Sequence, residues 1–196
     1  MGEARDDLRQ ATTAAHRRLD ENPLVAGLAA GTLSEADYAR MLSAYLAFYQ
    51  AWEEQMKANF PDLVELAGPE RFLKTHWLLK DLTALGSPAD PRISGSPATP
   101  SNRARAAGSL YVVEGSTIGG MHLSRSGKLP AHAHRFFEGY GAETMPKWKA
   151  LIELLEALLP DEESRREAAE EASATFAWFQ HRLAQIASAC FRGAED

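Results

Sequence analysis

The first side chain in this sequence that could do chemistry is His16. Leu8, Thr12, Ala15 and Leu19 recur at spacings of four, three and four, which predicts one apolar stripe of an amphipathic helix. On a helical wheel of about 100° per residue, His16 falls at the edge of that stripe. A histidine at such an edge can point into a pocket while the opposite face of the helix stays in solvent. His16 is therefore a candidate metal ligand, although a half-exposed surface histidine would show the same pattern.

Two charged residues share this edge of the predicted helix with His16. Asp20 lies one turn after it, so the carboxylate can accept a hydrogen bond from the second ring nitrogen and fix the tautomer of a metal-bound imidazole. Arg9 lies two turns before it and can meet an anionic group of a ligand. A histidine–carboxylate pair on a solvent-exposed helix is the simpler alternative, and spacing alone does not separate the two.

A segment rich in glycine, LYVVEGSTIGGMH (110–122), is the second unusual feature. Inside a helix, Gly115, Gly119 and Gly120 each cost about 1 kcal/mol relative to alanine. Gly115 and Gly119 are four residues apart and share a face, with Ser116 adjacent. Such a face lets the backbone approach a flat ligand closely, although close packing of two helices would use the same glycines. A phosphate-binding loop is excluded, because no Gly-Lys-Ser/Thr follows and no strand precedes.

Helical periodicity dominates the rest of the chain. Residues 87–101 contain four prolines and predict an irregular surface loop, and residues 126–134 predict a second loop. No segment alternates with period two over the length of a strand. The sequence therefore predicts an all-α fold, a single-domain helical bundle spanning residues 1–196. Its helices are predicted from the first residues to Asn22-Pro23, from Ser34 to Phe60-Pro61, from Pro69 to Gly86, from Ser101 to Arg125, from Pro146 to Leu159-Pro160, and through a last stripe from Ala172 to Cys190.

Composition narrows the functional class. The 196 residues are 45% hydrophobic and 24% charged, as expected of a globular protein, and the net charge of -6 argues against a nucleic-acid binder. The single cysteine, Cys190, excludes an intramolecular disulfide and fits a reducing compartment. The N-terminal MGEARDDLRQ has no apolar stretch for a secretory signal, and no run of about 18 apolar residues occurs. We expect a cytoplasmic protein that engages neither nucleic acid nor membrane.

Together, the two unusual segments resemble the haem oxygenase family. The resemblance covers nearly the whole chain, and bacterial members, including a form associated with bacteriophytochromes, are most similar. ATTAAHRRLD matches the family's proximal helix, and YVVEGSTIGG matches its glycine-rich distal helix. The resemblance implies that His16 is the ligand to the haem iron and that Asp20 is its acidic partner. It also places Gly115, Gly119 and Gly120 on the distal side of the haem.

Further positions follow from the resemblance, with two departures. Mammalian members have an aspartate directly after the first distal glycine, where it organises water near bound oxygen, but this chain has Ser116. Their pattern also has a basic residue where this chain has Glu153. The resemblance implies that Arg9, Tyr111 and Lys149 contact the haem propionates and that Phe176 is an aromatic residue of the pocket wall.

The resemblance implies an oxidoreductase that cleaves haem to biliverdin, iron and carbon monoxide, with haem (heme, iron protoporphyrin IX) as both cofactor and substrate. Molecular oxygen is the co-substrate. Electrons must come from an external donor, a ferredoxin or a reductase, because the chain has no flavin or iron–sulfur motif. A bilin-accepting phytochrome is a further partner that the resemblance suggests. A protein that binds or senses haem without degrading it would use the same His16, and it stays open as the alternative.

Overall fold

A computed structural model describes residues 2–192, with side chains described up to residue 189, so the predicted environment of Cys190 lies outside the described residues. No strand occurs in that range, and the predicted all-α fold is confirmed. The α-helices are α1 (Glu3–Asp20), α2 (Pro23–Ala30), α3 (Glu35–Asn59), α4 (Pro61–Ala67), α5 (Lys74–Ala84), α6 (Arg103–Arg125), α7 (Arg135–Glu138), α8 (Thr144–Leu158) and α9 (Glu162–Arg192). Two short 3-10 helices span Pro69–Phe72 and Gly141–Glu143.

The long C-terminal helix α9 organises the bundle, because it packs along both α6 and α1. Gly108 brings the backbones of α6 and α9 together, since a Cβ at this position would lie 2.0 Å from the carbonyl oxygen of Ala168. The predicted stripe of α1 is confirmed, with Leu8, Thr12 and Ala15 buried. α9 therefore holds the helix that carries His16 and the helix that carries the glycines against a common support.

Two prolines that were predicted only to end helices also begin new ones. Pro23 is the first residue of α2, and the Asn22 side chain caps that helix by accepting a hydrogen bond from Leu24 N at 3.0 Å. Pro61 is likewise the first residue of α4, although no side chain caps that helix. A proline at the first helical position has no N–H that the helix could use, so it ends one helix and favours the next.

The predicted helix from Pro69 to Gly86 is wrong as a single element. It consists of a 3-10 turn and α5, separated at Leu73, whose backbone angles (φ -126°, ψ 12°) are not helical. In a continuous helix, Thr75 N would donate to the carbonyl of Arg71. Instead, Thr75 N donates to the Glu53 carboxylate at 2.9 Å, and Lys74 Nζ donates to Arg71 O at 3.0 Å. Side chains from the surrounding core thus replace the helical hydrogen bond at the break.

The connection over residues 87–101 contains no helix, as predicted. Within residues 2–192, no helix combines the length and the apolar character needed to cross a membrane.

Candidate active site

The two segments singled out in the sequence face each other across one cavity of about 580 Å³. α1 contributes His16 and Asp20 to its wall, and α6 contributes Gly115, Ser116 and Gly119. The volume lies in the range of about 300–1,000 Å³ that is typical of sites for cofactors and small molecules. Residues more than 90 positions apart in the chain thus form the two sides of one site.

On the α1 side, His16 and Asp20 have the geometry predicted from their spacing. His16 Nδ1 lies 3.0 Å from Asp20 Oδ2, so the carboxylate accepts the Nδ1 proton and leaves Nε2 with a free lone pair. The ring of Phe176 lies 5.8 Å from the His16 ring, centroid to centroid, at an interplanar angle of 60°. One turn further along α9, the Gln180 side chain donates to the carbonyl of Ala15 at 2.6 Å, which ties α9 to α1 next to His16.

The three predicted glycines of α6 have different surroundings. A Cβ on Gly119 would meet no atom within 4 Å. A Cβ on Gly115 would be in ordinary contact with the Trp148 ring at 3.6 Å, and one on Gly120 would be crowded by the carbonyl oxygen of Phe137 at 3.2 Å. Gly119 therefore presents bare backbone to the cavity, whereas Gly120 permits close packing against α7.

Tyr49 is a site residue that the sequence analysis missed. Ser116 Oγ donates to Val113 O at 2.7 Å, so the Tyr49 hydroxyl is the donor in its 3.2 Å hydrogen bond with Ser116 Oγ. Burial raises the pKa of the Tyr49 hydroxyl far above its usual range, which keeps it protonated. In the sequence, Tyr49 is one residue of the apolar stripe of α3, and such a stripe does not distinguish a core residue from a site residue.

Most of the aromatic wall was likewise not predicted from the sequence. Of the rings around the cavity, only Phe176 and Tyr111 were predicted as site residues. These rings come from α3, α6, α7, α8 and α9, which no local pattern connects. The additional aromatic lining residues are Tyr45, Tyr49, Phe136, Phe137, Trp148 and Phe179.

Of the three predicted propionate contacts, only Tyr111 is part of the cavity wall. Burial raises the pKa of the Tyr111 hydroxyl, whereas the hydrogen bond with Thr12 and the charges of Arg5 and Arg9 act in the opposite direction. Arg9 is thus near Tyr111 but is not part of the cavity wall. Lys149 is not part of the wall either, because its side chain is 80% exposed and its Nζ lies 4.0 Å from Glu153 Oε1.

The donor set fits a haem. Among residues 2–189, no group of three or more His, Cys, Asp or Glu side chains could hold a metal ion. His16 offers a single nitrogen, so it suits a metal whose other ligands belong to a macrocycle. The aromatic wall suits a flat apolar ring, the open backbone at Gly119 leaves space on the opposite face, and Tyr111 with Arg5 and Arg9 suits acidic substituents at the edge.

Comparisons with known proteins show the family and the fold of this chain. The family model described as Heme oxygenase matches residues 3–185. A curated relative named Heme oxygenase, from Xanthomonas campestris pv. campestris (strain 8004), is 31% identical over 165 residues, covering 82% of this chain and 97% of its own. Three solved structures share the fold. Heme oxygenase from Leptospira interrogans has a TM-score of 0.79 at 18% identity and covers 94% of this chain and 100% of its own. Heme oxygenase-1 from Synechocystis sp. PCC6803, in complex with heme, has a TM-score of 0.79 at 16% identity and coverages of 100% and 96%. The NO- and CO-bound heme oxygenase from Neisseria meningitidis has a TM-score of 0.74 at 22% identity and coverages of 96% and 93%.

Proposed function

Since this chain belongs to the heme oxygenase family, we propose that it cleaves haem to biliverdin, iron and carbon monoxide, using molecular oxygen and external electrons. The chain is an oxidoreductase, and haem is both its cofactor and its substrate. One observation carries the proposal: a single cavity has His16, with a free Nε2, on one side and the bare backbone of Gly119 on the other. When bound, haem supplies the iron that activates oxygen and the macrocycle that is oxidised.

His16 Nε2 is the proposed ligand to the iron. Asp20 holds the proton on Nδ1, so the imidazole stays in the tautomer that can bind a metal through Nε2. The Asp20 carboxylate also fixes the orientation of the ring. Phe176 packs beside the imidazole and restricts its tilt.

On the opposite side, Ser116 and Tyr49 take the place of the aspartate of mammalian members. Tyr49 stays protonated because burial raises the pKa of its hydroxyl, so it donates a hydrogen bond and cannot act as an anionic ligand. Ser116 relays this hydrogen bond, since it accepts from Tyr49 while its own hydroxyl donates to the carbonyl of Val113. Gly119 adds no side chain that would compete with oxygen for space.

The seating of the propionates is a separate part of the proposal. Tyr111 lies in the wall with Arg9 close to it, which supports contacts from these two residues. Lys149 is retained as a candidate contact at the rim, and Glu153 competes for its ammonium group. We propose a ferredoxin or a reductase as the electron donor, and a bilin-accepting phytochrome as the protein that receives the biliverdin. A cytoplasmic location belongs to the same proposal, because the single cysteine fits a reducing compartment.

Turnover of haemin tests the proposal. Purified protein with one equivalent of haemin, a ferredoxin with its reductase and NADPH under air, and catalase to remove free peroxide should yield biliverdin and carbon monoxide. Absorbance and chromatography identify the biliverdin, and a ferrous haem protein added as a trap detects the carbon monoxide. Haemin that stays intact with a stable histidine-ligated spectrum under these conditions would contradict the proposal and identify a passive haem-binding protein.

A further inference from the structure

A buried ion cluster lies behind the α6 wall, and no sequence pattern predicted it. Glu114, the residue before Gly115, accepts hydrogen bonds from Arg71 Nη1 at one carboxylate oxygen and from Lys74 Nζ at the other. The Tyr140 hydroxyl also donates to Glu114 Oε1 at 2.8 Å. All three charged side chains are at most 4% exposed. Burying charges is expensive unless they are paired and hydrogen-bonded, so the cluster is stable only if its groups satisfy one another.

Each side-chain donor atom in the cluster has at least one partner. The three protons of Lys74 Nζ point to Glu114, to Arg71 O at 3.0 Å and to the Tyr140 hydroxyl at 3.0 Å. Arg71 uses Nε for Ala67 O at 2.6 Å, Nη1 for Glu114 and Nη2 for a backbone carbonyl of α8 at 2.9 Å. Because a satisfied buried network is stiff, its members keep fixed positions relative to one another.

The two ends of this network are next to two residues of the cavity wall. Glu114 directly precedes Gly115, and the carbonyl that Arg71 holds belongs to Lys147, which directly precedes Trp148. Gly115 and Trp148 both line the cavity, and the Trp148 ring would lie 3.6 Å from a Cβ on Gly115. The Glu114 carboxylate is therefore connected to both of these wall residues: to Gly115 as its neighbour in the chain, and to Trp148 through Arg71 and the carbonyl of Lys147. Glu114 itself does not line the cavity.

We propose that Glu114 is a positioning residue: through Arg71, Lys74 and Tyr140 it sets the spacing between Gly115 and Trp148, and so determines which edge of the macrocycle faces the distal space. The expected consequence is control over which biliverdin isomer forms. This inference rests on the proposed function for its product, but the rigidity that it assigns to α6 belongs to the protein alone.

Glu53 provides a matched control. It is another buried glutamate, 5% exposed, in the neighbouring helix α3. Its carboxylate accepts from Thr75 N at 2.9 Å and lies 3.8 Å from Lys57 Nζ, so its contacts are with α3 and α5 and not with α6. Glu53 also acts electrostatically on Lys74, since its carboxylate binds the amide that follows that residue. A Glu53→Gln variant therefore changes the surroundings of Lys74 but keeps every hydrogen bond that Glu114 and Arg71 make.

Hydrogen exchange on the haem-free protein tests the mechanical half of the proposal. Glu114→Gln should speed exchange of the backbone amides of residues 112–120 by at least roughly tenfold. The reason is that the variant weakens the buried hydrogen bonds that oppose local opening of α6. Glu53→Gln should speed exchange mainly around residues 73–78, and it should change 112–120 by less than Glu114→Gln does, because only Lys74 of the cluster lies in that segment. Equal effects of both variants on 112–120, or no effect of Glu114→Gln there, would overturn the proposal. If Glu114→Gln does not fold, Tyr140→Phe keeps both ion pairs, loses one hydroxyl, and should show a smaller effect in the same segment.

Chromatography of the reaction products tests the chemical half. Glu114→Gln should keep the wild-type histidine-ligated spectrum and bind haemin within about threefold of wild type, since burial of the macrocycle supplies most of the affinity. Its ratio of biliverdin isomers should change, and by more than that of Glu53→Gln. An unchanged ratio in Glu114→Gln and Tyr140→Phe contradicts the positioning role even if biliverdin forms. If wild-type protein forms no biliverdin, the proposed function fails instead, and the exchange experiment still decides whether Glu114 braces α6.

Discussion

The substitution of Gly119 by alanine separates a glycine needed for chemistry from one needed for packing. A Cβ at this position would meet no protein atom within 4 Å, so the haem-free protein can accept it without strain. The methyl group would project into the cavity between α6 and His16. The matched variant is Gly120→Ala, one residue along the same helix, where the new Cβ would lie 3.2 Å from the carbonyl oxygen of Phe137.

The expected magnitudes have opposite signs for stability and activity. Alanine is favoured over glycine inside a helix by about 1 kcal/mol, and nothing near Gly119 opposes this gain. For a domain of this size, the thermal midpoint of the haem-free Gly119→Ala variant should rise by roughly 2–4 °C. The same methyl group occupies space on the distal side, and a misplacement of about 1 Å at a reacting centre can cost on the order of 100-fold in rate. In Gly120→Ala, crowding against Phe137 should cancel the helical gain.

Two measurements on the same preparations decide between these roles. Calorimetry or circular dichroism gives the thermal midpoint without haem, and biliverdin yield per haem gives the chemistry. Gly119→Ala should be at least as stable as wild type, keep its histidine-ligated spectrum, and form biliverdin slowly or divert to peroxidase-like products. Ser116→Ala should lose less activity, because water can replace the hydroxyl between Tyr49 and the carbonyl of Val113.

Full activity in Gly119→Ala would refute this reasoning. It would mean that the bare backbone at this position has no role in the chemistry and that oxygen is activated elsewhere in the cavity. A drop in the thermal midpoint of the haem-free variant would refute the geometric premise, because it would require a neighbour that the structure does not place there.

Three further predictions concern the iron ligand, the propionates and the buried hydroxyls. Asp20→Asn should weaken haem retention or turnover by about 10–100-fold, whereas Glu21→Gln, the loss of a neighbouring exposed carboxylate, should have little effect in the same haem-dissociation assay. Tyr111→Phe and Arg9→Ala should change the ratio of biliverdin isomers more than Lys149→Ala does, since Lys149 faces Glu153 and not the cavity. A ratio that stays at the wild-type value in all three variants would show that none of these residues seats the haem. Because the folded protein keeps phenol protons that the unfolded chain releases from about pH 10, stability should fall above that pH by up to about 1.4 kcal/mol per pH unit for each buried tyrosine. Ultraviolet titration should therefore show tyrosinate only as the protein unfolds, and early ionisation in the folded state would contradict the burial that raises the pKa of Tyr38, Tyr45, Tyr49, Tyr111 and Tyr140.

The local features of the site could be predicted from the sequence because they depend on helical spacing alone. Residues four apart on one helix must lie close together, which is why the hydrogen bond between His16 and Asp20 followed from their positions. The glycine segment was recognised as unusual, but the pattern could not distinguish Gly119 from Gly120. That distinction depends on Phe137 of α7, which packs against only one of them.

The features that were missed depend on contacts between distant segments. Tyr49 reaches Ser116 across 67 residues, and Arg71 reaches Glu114 across 43. A buried tyrosine in an apolar stripe and a glutamate in a helix are each ordinary by themselves. The break at Leu73 has the same origin, since the hydrogen bonds that replace the helical one involve side chains of Glu53 and Lys74. Helical periodicity carries no information about such partners.

The most direct test of the account is the replacement of His16 by alanine, followed by the addition of free imidazole. Wild-type protein with one equivalent of haemin should show an imidazole-ligated Soret band and turn over to biliverdin. His16→Ala should lose both the band and the turnover, and imidazole diffusing into the space beside Asp20 and Phe176 should restore the band and part of the activity. A His16→Ala variant that keeps the wild-type spectrum and forms biliverdin at the wild-type rate without imidazole would contradict the assignment of the iron ligand.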